Sequence, residues 1–396
     1  MMRKKSLGLL TLILLVNFSF TERQSVLLIS FDGLQSEKFE QFLSLNPNSN
    51  FSRIVNNGLK SEYMSPSNPT FTYSNHITLV TGLYPESHGL TNNVVFDPQL
   101  NEKVAFSATD DVKQWKIPEP IWYTAKKQGL KTGSSFWIGD YIWPLQPNIF
   151  LRYNSRYDVF KRIDLLIDWY KKYNLDFACI YFDEPDATGH IYGPDSNEYM
   201  TKINYMDSVF GYLLKELEKK DILKRLNLIV VSDHGMSQLT NSQFIDINKY
   251  VNSNLIDFNK SFFHVVSSIY PKSDDKLHEL FEHMLNIPNV KVFLKSKIPK
   301  ELNYKNNDRI GPIVVFSNEG FRLIEQNLSF VDYGGHGYLA NLTSMRAIFI
   351  AQGPSFKKGK MNSFENVNVY ALMCQLLDII CHSNNGTIQI FEPFLN

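Results

Sequence analysis

The chain has 396 residues, of which 43% are hydrophobic and 14% aromatic, so it can fill a sizeable core. Lysine plus arginine number 40, as do aspartate plus glutamate, and the formal net charge is zero. A neutral chain has no overall field that attracts duplex nucleic acid or an anionic membrane, so an anionic substrate would have to be recognised locally.

The first twenty residues have the order of a secretory signal peptide. Basic residues at 3–5 precede the apolar run 7–16, which is too short to span a bilayer comfortably, and polar residues follow at 21–23. No second apolar span or lipid-anchor tail follows Met361. We therefore expect residues 1–20 to be removed, and residues 21–396 to form a secreted, extracellular protein with no stable membrane anchor.

Glycosylation triplets agree with that location. An asparagine followed by any residue except proline and then by serine or threonine occurs at Asn50, Asn259, Asn327, Asn341 and Asn385. The composition is rich in asparagine, so some of these triplets arise by chance. We interpret the chain as a glycoprotein on the combined pattern.

Three apolar runs end in acids at Asp32, Asp186 and Asp233, and histidines follow the last two as His190 and His234. A side chain at the carboxyl end of a buried parallel strand points into the crevice where open α/β sheets bind ligands. Three such strands predict one shared site. The occupant predicted by these residue types is a pair of metal ions.

Between residues 26 and 235, short β-rich runs alternate with amphipathic segments at 120–128, 163–173 and 197–220. This alternation is typical of an α/β fold with a mainly parallel sheet flanked by helices on both faces. A further strand is predicted at 345–351 and a last helix at 367–380.

The pattern changes between residues 238 and 330. Here β-rich pieces at 262–269, 290–294 and 312–316 surround one helical segment at 275–285. We interpret this interval as an inserted, smaller α+β lobe. No repeats or flexible linkers interrupt the chain, so residues 21–396 are predicted to form a single domain, and we expect a monomer.

The three cysteines predict no disulfide framework. Cys179 falls inside a predicted core strand. Cys374 and Cys381 are seven residues apart on one predicted helix, which would separate them by about 10 Å and prevent a bond.

Six candidate ligands follow from the strand ends and from one glycine-rich segment: Asp32, Asp186, His190, Asp233, His234 and His336. Six oxygen and nitrogen ligands are too many for one tetrahedral zinc, but they divide into two sets of three. Two zinc ions are the simplest occupants, although this ligand mixture also suits manganese or iron.

A nucleophile is predicted in the segment 69–76, which leads into a helix that ends near Gly82. Thr70, Thr72 and Ser74 offer hydroxyls close to the free amides of the first helical turn. Two divalent cations against three aspartates leave one positive charge, which a threonine alkoxide would cancel. The alternative is that these hydroxyls simply cap the helix.

Several motifs together resemble the ectonucleotide pyrophosphatase/phosphodiesterase family of the alkaline phosphatase superfamily. The similarity is collinear over about residues 26–386 and is most specific at 80–89. The matching segments are 30–33, 75–76, 80–89, 184–190, 232–236 and 336–338. The resemblance implies an alkaline-phosphatase-like fold and a short member that consists of the catalytic domain alone.

The resemblance also implies a role for each matching position. Asp186, His190 and His336 would hold one zinc. Asp32, Asp233, His234 and Thr72 would hold the other. Thr72 would attack phosphorus and form a phosphothreonine intermediate, and Asn93 would donate a hydrogen bond to the phosphoryl oxygen. Tyr73 and Tyr153 fall where family members clamp a nucleobase.

The chain departs from the family pattern at four positions around the site. Phe71 replaces a lysine and Ser74 a proline, while Leu339 and Ala340 replace Asp-Asn. The expected function is a zinc-dependent phosphodiesterase that splits extracellular nucleoside triphosphates and dinucleoside polyphosphates to nucleoside 5′-monophosphates. The alternatives are a choline-phospholipid phosphodiesterase and, because of these departures, a secreted metal-containing binding protein with little turnover.

Overall fold

The computed structural model describes residues 24–106, 117–142, 144–240, 244–325 and 332–396. The predicted signal peptide and the triplet at Asn327 lie outside these ranges. Within them, no helix combines the length and the apolar character needed to cross a membrane.

Strands and helices alternate through most of the described chain. The strands are β1 (Ser25–Phe31), β2 (Leu59–Ser61), β3 (Met64–Ser65), β4 (Val94–Asp97), β5 (Glu102–Ala105), β6 (Thr132–Ser135), β7 (Ile149–Leu151), β8 (Phe177–Phe182), β9 (Leu226–Val231), β10 (Ser237–Gln238), β11 (Phe244–Asp246), β12 (Val266–Ile269), β13 (Val290–Leu294), β14 (Ile313–Ser317), β15 (Arg322–Ile324), β16 (Gly334–Gly335), β17 (Phe349–Gln352), β18 (Gly359–Met361) and β19 (Phe364–Glu365). The α-helices are α1 (Ser36–Leu45), α2 (Asn50–Asn57), α3 (Thr72–Thr81), α4 (Pro85–His88), α5 (Ile121–Lys127), α6 (Val159–Tyr173), α7 (Asp186–Tyr192), α8 (Asn197–Lys219), α9 (Leu277–Met284) and α10 (Asn368–Leu377).

The central sheet has eight strands in the order β18-β2-β17-β9-β1-β8-β6-β7. Strand β17 runs antiparallel to both of its neighbours, and every other pairing in this sheet is parallel. The prediction of a mainly parallel α/β sheet is therefore confirmed.

Strand β1 shows why helices cover both faces of the sheet. Its residues Leu27, Ile29 and Phe31 pack into a core with α1, α2, α6 and α8, whereas Val26 and Leu28 pack on the opposite side with α3, α5 and α10. Successive side chains of a strand point to opposite faces, so a run that is apolar at every position requires cover on both.

The three helices predicted in the first half of the chain are present as α5, α6 and α8, within a few residues of their expected bounds. Helix α8 begins where the Ser196 side chain accepts a hydrogen bond from the Tyr199 amide. This serine cap fixes the first turn, and an apolar stripe that includes Phe210 and Leu214 faces the core.

The interval predicted as an inserted lobe contains the three-stranded antiparallel sheet β12-β14-β13, with helix α9 packed on one face. Strand β12 is shorter than predicted, because Phe262 pairs with Ser268 only through an isolated bridge. These elements match the predicted composition. The division of the chain into one domain with an insertion stays a prediction.

The lobe is fastened to the rest of the molecule through polar contacts. Arg309 lies in an ion pair with Asp97 at 2.8 Å, and both side chains are almost completely buried. The Tyr304 hydroxyl donates to the Thr91 carbonyl at 2.8 Å. Because removal of one partner of a buried ion pair is strongly destabilising, this contact holds the lobe in a fixed position.

The strand and the helix predicted near the C-terminus are both present with bounds that differ from those predicted, and the prediction of no disulfide is wrong. The strand predicted at 345–351 begins only at Phe349, since Met345 lies in a short 3-10 turn. Helix α10 ends at Leu377, where Asp378 adopts a left-handed conformation with φ 53°. The chain then folds back, so that Cys374 and Cys381 pair as a disulfide with a Cα–Cα distance of 5.7 Å. The prediction of no disulfide failed because it assumed a continuous helix.

Candidate active site

Three predicted ligands come from the ends of two neighbouring strands. Asp32 follows β1, and Asp233 and His234 follow β9 after one intervening residue. The two strands are parallel, with Ser30 opposite Val231, so their carboxyl ends meet at one edge of the sheet. The Nε2 atom of His234 lies 3.0 Å from Asp233 Oδ2 and 3.4 Å from Asp32 Oδ1. All three side chains are almost completely buried.

The other three predicted ligands lie on helix α7 and on the segment after β16. Asp186 is the first residue of α7, and its amide donates to the Asp32 carbonyl at 3.0 Å. His190 lies one turn later, with Nε2 3.4 Å from Asp186 Oδ2. His336 Nε2 lies 3.6 Å from Asp186 Oδ1. The structure thus brings together all six residues that the strand ends and the glycine-rich segment suggested.

Backbone carbonyls fix the orientation of the three imidazoles. The Nδ1 atoms of His190, His234 and His336 lie 3.0, 2.7 and 3.0 Å from the carbonyl oxygens of Gly334, Gly235 and Thr70 respectively. A carbonyl only accepts, so each Nδ1 carries a proton, and Nε2 presents a lone pair whenever the ring is neutral. The Nε2 atoms of His190 and His336 then face each other at 3.2 Å, which is repulsive without a cation between them.

The carboxylates show the same need for positive charge. One oxygen of each aspartate, Asp32 Oδ1, Asp186 Oδ1 and Asp233 Oδ2, is buried with no hydrogen-bond partner among the described residues. Burial, together with the negative charges of Asp233 and Asp186, raises the pKa of Asp32 well above its usual value. Since partnerless buried carboxylate oxygens are costly, the residues fit divalent cations.

The ligand atoms form two groups, and within each group all of these atoms lie within 4.8 Å of one another. One group is Asp186, His190 and His336, and the other is Asp32, Asp186 and His234. Asp186 belongs to both groups, so the two candidate positions are adjacent. Asp233 adjoins the second group through its 3.0 Å approach to His234.

Thr72 is the first residue of helix α3, and its hydroxyl lies 3.0 Å from His234 Nε2. The alternative in which the hydroxyls of this segment cap the helix does not hold. The residue at the N-cap is Phe71, and no side chain caps the helix. Thr70 instead bonds the segment around Tyr338, and Ser74 bonds the Leu90 carbonyl. Only Thr72 of the three hydroxyls faces the ligands.

Of the predicted substrate-contacting residues, Tyr153 is linked to the ligand group through Tyr181, whose ring centroid lies 6.3 Å from that of Tyr153 and whose hydroxyl bonds Asp32. Asn93 immediately precedes β4, and its Oδ1 atom is buried without a partner among the described residues. The Tyr153 hydroxyl donates to Asp183 at 2.7 Å, and its ring packs edge-on against Phe136. Burial, the bond to Asp183 and the nearby charges of Asp183 and Tyr73 raise the pKa of Tyr153, which places Tyr73 in its vicinity.

Several residues that support the ligands were not predicted. The Tyr181 hydroxyl donates to Asp32 Oδ2 at 2.6 Å, and the Gly33 amide donates to Asp233 Oδ1 at 3.1 Å. The imidazole of His76 lies 3.4 Å from Asp233 Oδ2 and bonds the Thr72 carbonyl. A tyrosine inside an apolar strand is ordinary, so Tyr181 gave no signal. His76, the last residue of the segment 69–76 that contains Thr72, was the one of these residues that the sequence made conspicuous.

The departures from the family pattern have a structural explanation. Phe71 is completely buried in an apolar cluster with Val314 and Phe316 of the lobe, and Leu339 packs against the same cluster. The positions that carry lysine and aspartate in the family pattern are thus an apolar pair here. The Ala340 amide donates to Asn68 Oδ1 at 2.8 Å. Support for His336 comes instead from Thr70, whose carbonyl accepts from its Nδ1.

Comparison with known proteins agrees with this geometry. The family model for type I phosphodiesterase / nucleotide pyrophosphatase matches residues 26–339. The chain is 37% identical over 374 residues to the Xenopus laevis bis(5′-adenosyl)-triphosphatase enpp4, covering 92% of this chain and 80% of the relative. It is 33% identical over 385 residues to human ectonucleotide pyrophosphatase/phosphodiesterase family member 5, covering 95% and 79%.

A solved structure is also similar. The inactive variant of murine ectonucleotide pyrophosphatase/phosphodiesterase 5 in complex with AMP superimposes with a TM-score of 0.88 at 33% identity, covering 94% of this chain and all of that one. The alkaline-phosphatase-like fold expected from the sequence is confirmed by this likeness. The chain belongs to the type I phosphodiesterase / nucleotide pyrophosphatase family, and it is a hydrolase.

Proposed function

We propose that the protein is a secreted, zinc-dependent phosphodiesterase that hydrolyses extracellular nucleotides to nucleoside 5′-monophosphates. The observation that carries the proposal is the set of three partnerless carboxylate oxygens and three imidazole Nε2 atoms around one threonine hydroxyl. Nitrogen and oxygen ligands in two groups of three suit two zinc ions, each with an open position for substrate. When bound, the ions would neutralise the phosphoryl oxygens and lower the pKa of a hydroxyl beside them.

Thr72 is the proposed nucleophile. Its hydroxyl oxygen attacks the α-phosphorus of a nucleoside triphosphate, and the bond to the pyrophosphate leaving group breaks. The nucleoside monophosphate is then esterified to Thr72. Water hydrolyses that ester, releasing the nucleoside 5′-monophosphate and restoring the hydroxyl. Free amides at the start of α3 add positive potential where the phosphoryl oxygens lie.

Asn93, Tyr73 and Tyr153 are the proposed substrate-binding residues. An amide donor from Asn93 would stabilise the phosphoryl oxygens as charge develops on them. The aromatic rings would stack on the base, which contributes about 1 to 3 kcal/mol and tolerates different bases. The hydrogen bond from Tyr153 to Asp183 holds one of these rings in place before substrate arrives.

The relatives support the nucleotide assignment. One carries the name bis(5′-adenosyl)-triphosphatase, which favours dinucleoside polyphosphates among the substrates of this chain. Another was solved with AMP bound to an inactive variant in which an alanine replaces a threonine. AMP is the kind of product that the proposed reaction releases.

Secretion is supported by the disulfide between Cys374 and Cys381, because such bonds persist in oxidising compartments. Among the glycosylation triplets, Asn259, Asn341 and Asn385 are exposed. The Asn50 amide instead donates to Asp207 at 2.9 Å, which makes that position unsuitable for a glycan in the folded protein.

A choline-phospholipid phosphodiesterase is the second candidate, and one observation favours it. The Asp183 carboxylate lies beside the rings of Tyr153 and Tyr181. An acid next to aromatic faces is the environment that a quaternary ammonium group prefers. Parallel assays with a nucleotide and with glycerophosphocholine separate the two candidates.

The test of the proposal uses purified, zinc-loaded protein and two substrates, p-nitrophenyl thymidine monophosphate and diadenosine triphosphate. Wild type is expected to cleave both, and Thr72→Ala is expected to lose nearly all cleavage while its metal content by mass spectrometry stays unchanged. Thr240→Ala, a substitution outside the site, is the control. Equal rates in wild type and Thr72→Ala would instead favour the binding-protein alternative, and no cleavage of either substrate would end the proposal.

A further inference from the structure

The segment between helix α4 and Asn93 is anchored to the nucleophile's helix by two side chains that hold one residue. The Ser74 hydroxyl donates to the Leu90 carbonyl at 2.7 Å, and the Leu90 amide donates to His88 Nδ1 at 3.1 Å. Ser74 and Leu90 are completely buried, and His88 is nearly so. Both backbone groups of Leu90 are therefore satisfied by side chains rather than by regular secondary structure.

The second nitrogen of His88 returns to helix α3. Because Nδ1 accepts from the Leu90 amide, the ring proton is on Nε2, which lies 3.1 Å from the Ser74 carbonyl and 3.1 Å from Thr78 Oγ1. Burial lowers the pKa of His88 to about 3, so the ring is neutral at physiological pH and keeps this tautomer. One imidazole thus joins Leu90 to two residues of α3.

The residues after Leu90 are anchored in turn to the lobe. Tyr304 donates to the Thr91 carbonyl at 2.8 Å, and Asn92 Nδ2 donates to the Val266 carbonyl at 2.9 Å. Asn92 Oδ1 then accepts from the Asn93 amide at 2.8 Å. The backbone of Asn93 is therefore fixed, while its own Oδ1 has no partner among the described residues. The fixed backbone sets where the Asn93 amide lies, and its Nδ2 is the atom that would donate to a phosphoryl oxygen.

We propose that Ser74 and His88 are positioning residues that set the location of Asn93 relative to Thr72, two residues before Ser74. The inference rests on the proposed function, in which Thr72 attacks and Asn93 stabilises the phosphoryl oxygens. In the family pattern the position of Ser74 carries proline, which has no hydroxyl to donate. The bond from Ser74 to Leu90 is thus a feature of this chain.

The expected consequence is kinetic. Without the Ser74 hydroxyl, the buried Leu90 carbonyl loses its partner and the segment can shift toward a new one. A displacement of about 1 Å at a catalytic group costs up to about a hundredfold in rate. Asn93 would stabilise charge that develops only in the transition state, so its displacement should lower kcat and leave KM nearly unchanged. We expect Ser74→Ala to lower kcat about tenfold.

The test is a double-mutant cycle of Ser74→Ala with Asn93→Ala, measured on diadenosine triphosphate with zinc-loaded protein. Ser74→Ala is expected to lower kcat about tenfold in the wild-type background but less than twofold when Asn93 is already alanine. His88→Gln alters the partner of the Leu90 amide instead of the partner of its carbonyl. Its effect on kcat should likewise be smaller when Asn93 is already alanine. Circular dichroism and metal content confirm that each variant is folded and loaded.

The matched control is Thr81→Ala, which removes a buried hydroxyl of the same helix that bonds the Ile77 carbonyl at 2.7 Å. It should lower the unfolding temperature without changing kcat in either background. Equal losses from Ser74→Ala in both backgrounds, or no effect of Asn93→Ala on kcat, would overturn the inference. Residual hydrolysis by Thr72→Ala would instead show that the proposed function itself is wrong.

Discussion

The site has two halves that are built differently. The strand half consists of Asp32, Asp233 and His234, which directly follow adjacent parallel strands. The loop half consists of Thr72 at the start of α3, Asp186 and His190 at the first and last turns of α7, and His336 on the segment after β16. In the strand half the side chains are buried, whereas the His190 side chain is 32% exposed.

The difference shows what holds each ligand. The ladder between β1 and β9 fixes the strand half, so a single lost side-chain bond leaves the backbone in place. The loop half depends on contacts between residues far apart in the chain. His336, for example, is oriented by Thr70, which lies 266 residues earlier. The loop half should therefore be the more sensitive to substitutions outside the ligands.

Removal of the metals by a chelator takes the bound ions from both halves at once, so it should have the largest effect on hydrolysis. Hydrolysis should fall by more than about 10³-fold, because the ions supply several kcal/mol of transition-state stabilisation. The unfolding temperature should fall by about 5 °C, because the facing Nε2 lone pairs and partnerless carboxylates lose their cations. A hydrolysis assay and scanning fluorimetry, each run before and after zinc is restored, measure the two changes. An unchanged unfolding temperature after complete removal would contradict the fit of these residues to divalent cations.

Thr70→Ala tests the loop half alone. The Thr70 hydroxyl accepts from the Gly337 amide and donates to the Tyr338 carbonyl, both at 2.9 Å, in the two residues that directly follow His336. We expect zinc affinity to fall about 10- to 100-fold, as for other groups that orient ligands. Competition with a chromogenic chelator measures it. Thr124→Ala, another buried hydroxyl, should lower stability only, and equal affinity losses in the two variants would refute the assignment.

Tyr181→Phe tests the strand half. The substitution removes the 2.6 Å bond to Asp32 Oδ2 and leaves the ring in place. The strand should keep Asp32 in position, so we expect zinc affinity to fall by about tenfold or less, at the lower end of the range for orienting groups. Competition with the same chromogenic chelator measures the zinc affinity of this variant. A loss larger than that of Thr70→Ala would reverse the ranking of the halves.

Asp140 belongs to neither half and contrasts with the aspartates of the strand half, since it should affect stability alone. It is buried beyond β6, accepts from the Ser134 hydroxyl, and lies outside the ligand group. Burial raises its pKa to about 8, although Ser134 and the charge of Arg152 oppose this. The folded protein thus holds a proton that the unfolded chain, with a pKa of about 3.9, releases.

Stability should consequently decrease as pH rises from about 4 to about 8, by about 1.4 kcal/mol per pH unit from this group. Asp140→Asn should remove that slope. Urea unfolding at pH 6 and pH 7 measures the difference between wild type and variant. Parallel profiles for the two proteins would show that the carboxyl is ionised in the fold.

The two halves were also unequally predictable from the sequence. Asp32, Asp233 and His234 follow apolar runs, and the geometry of parallel strands is enough to place them at one edge. Thr72 was predicted only with capping as an equal alternative, because spacing does not show which hydroxyl faces the ligands. Thr70 was named only as a candidate nucleophile or capping hydroxyl, and Tyr181 carried no signal, since their supporting roles arise from contacts between distant parts of the chain.

The disulfide was missed for a related reason. The prediction treated residues 367–380 as one helix, and a left-handed residue at Asp378 ends it at Leu377. Aspartate adopts this conformation more often than most non-glycine residues but still in a small minority of cases, so its presence at 378 gave little warning. Where a helix ends at a single left-handed residue, the surrounding tertiary packing determines that end. The local sequence pattern carries no information about this packing.

Phe71 connects the site with the lobe. It directly precedes Thr72, the proposed nucleophile, and belongs to an apolar cluster that includes side chains of β14. Mutations that repack the lobe can therefore alter the reaction centre without touching any ligand. For an engineer who wishes to change turnover, random libraries directed at Val314 and Phe316 offer a route that leaves the ion-binding groups intact.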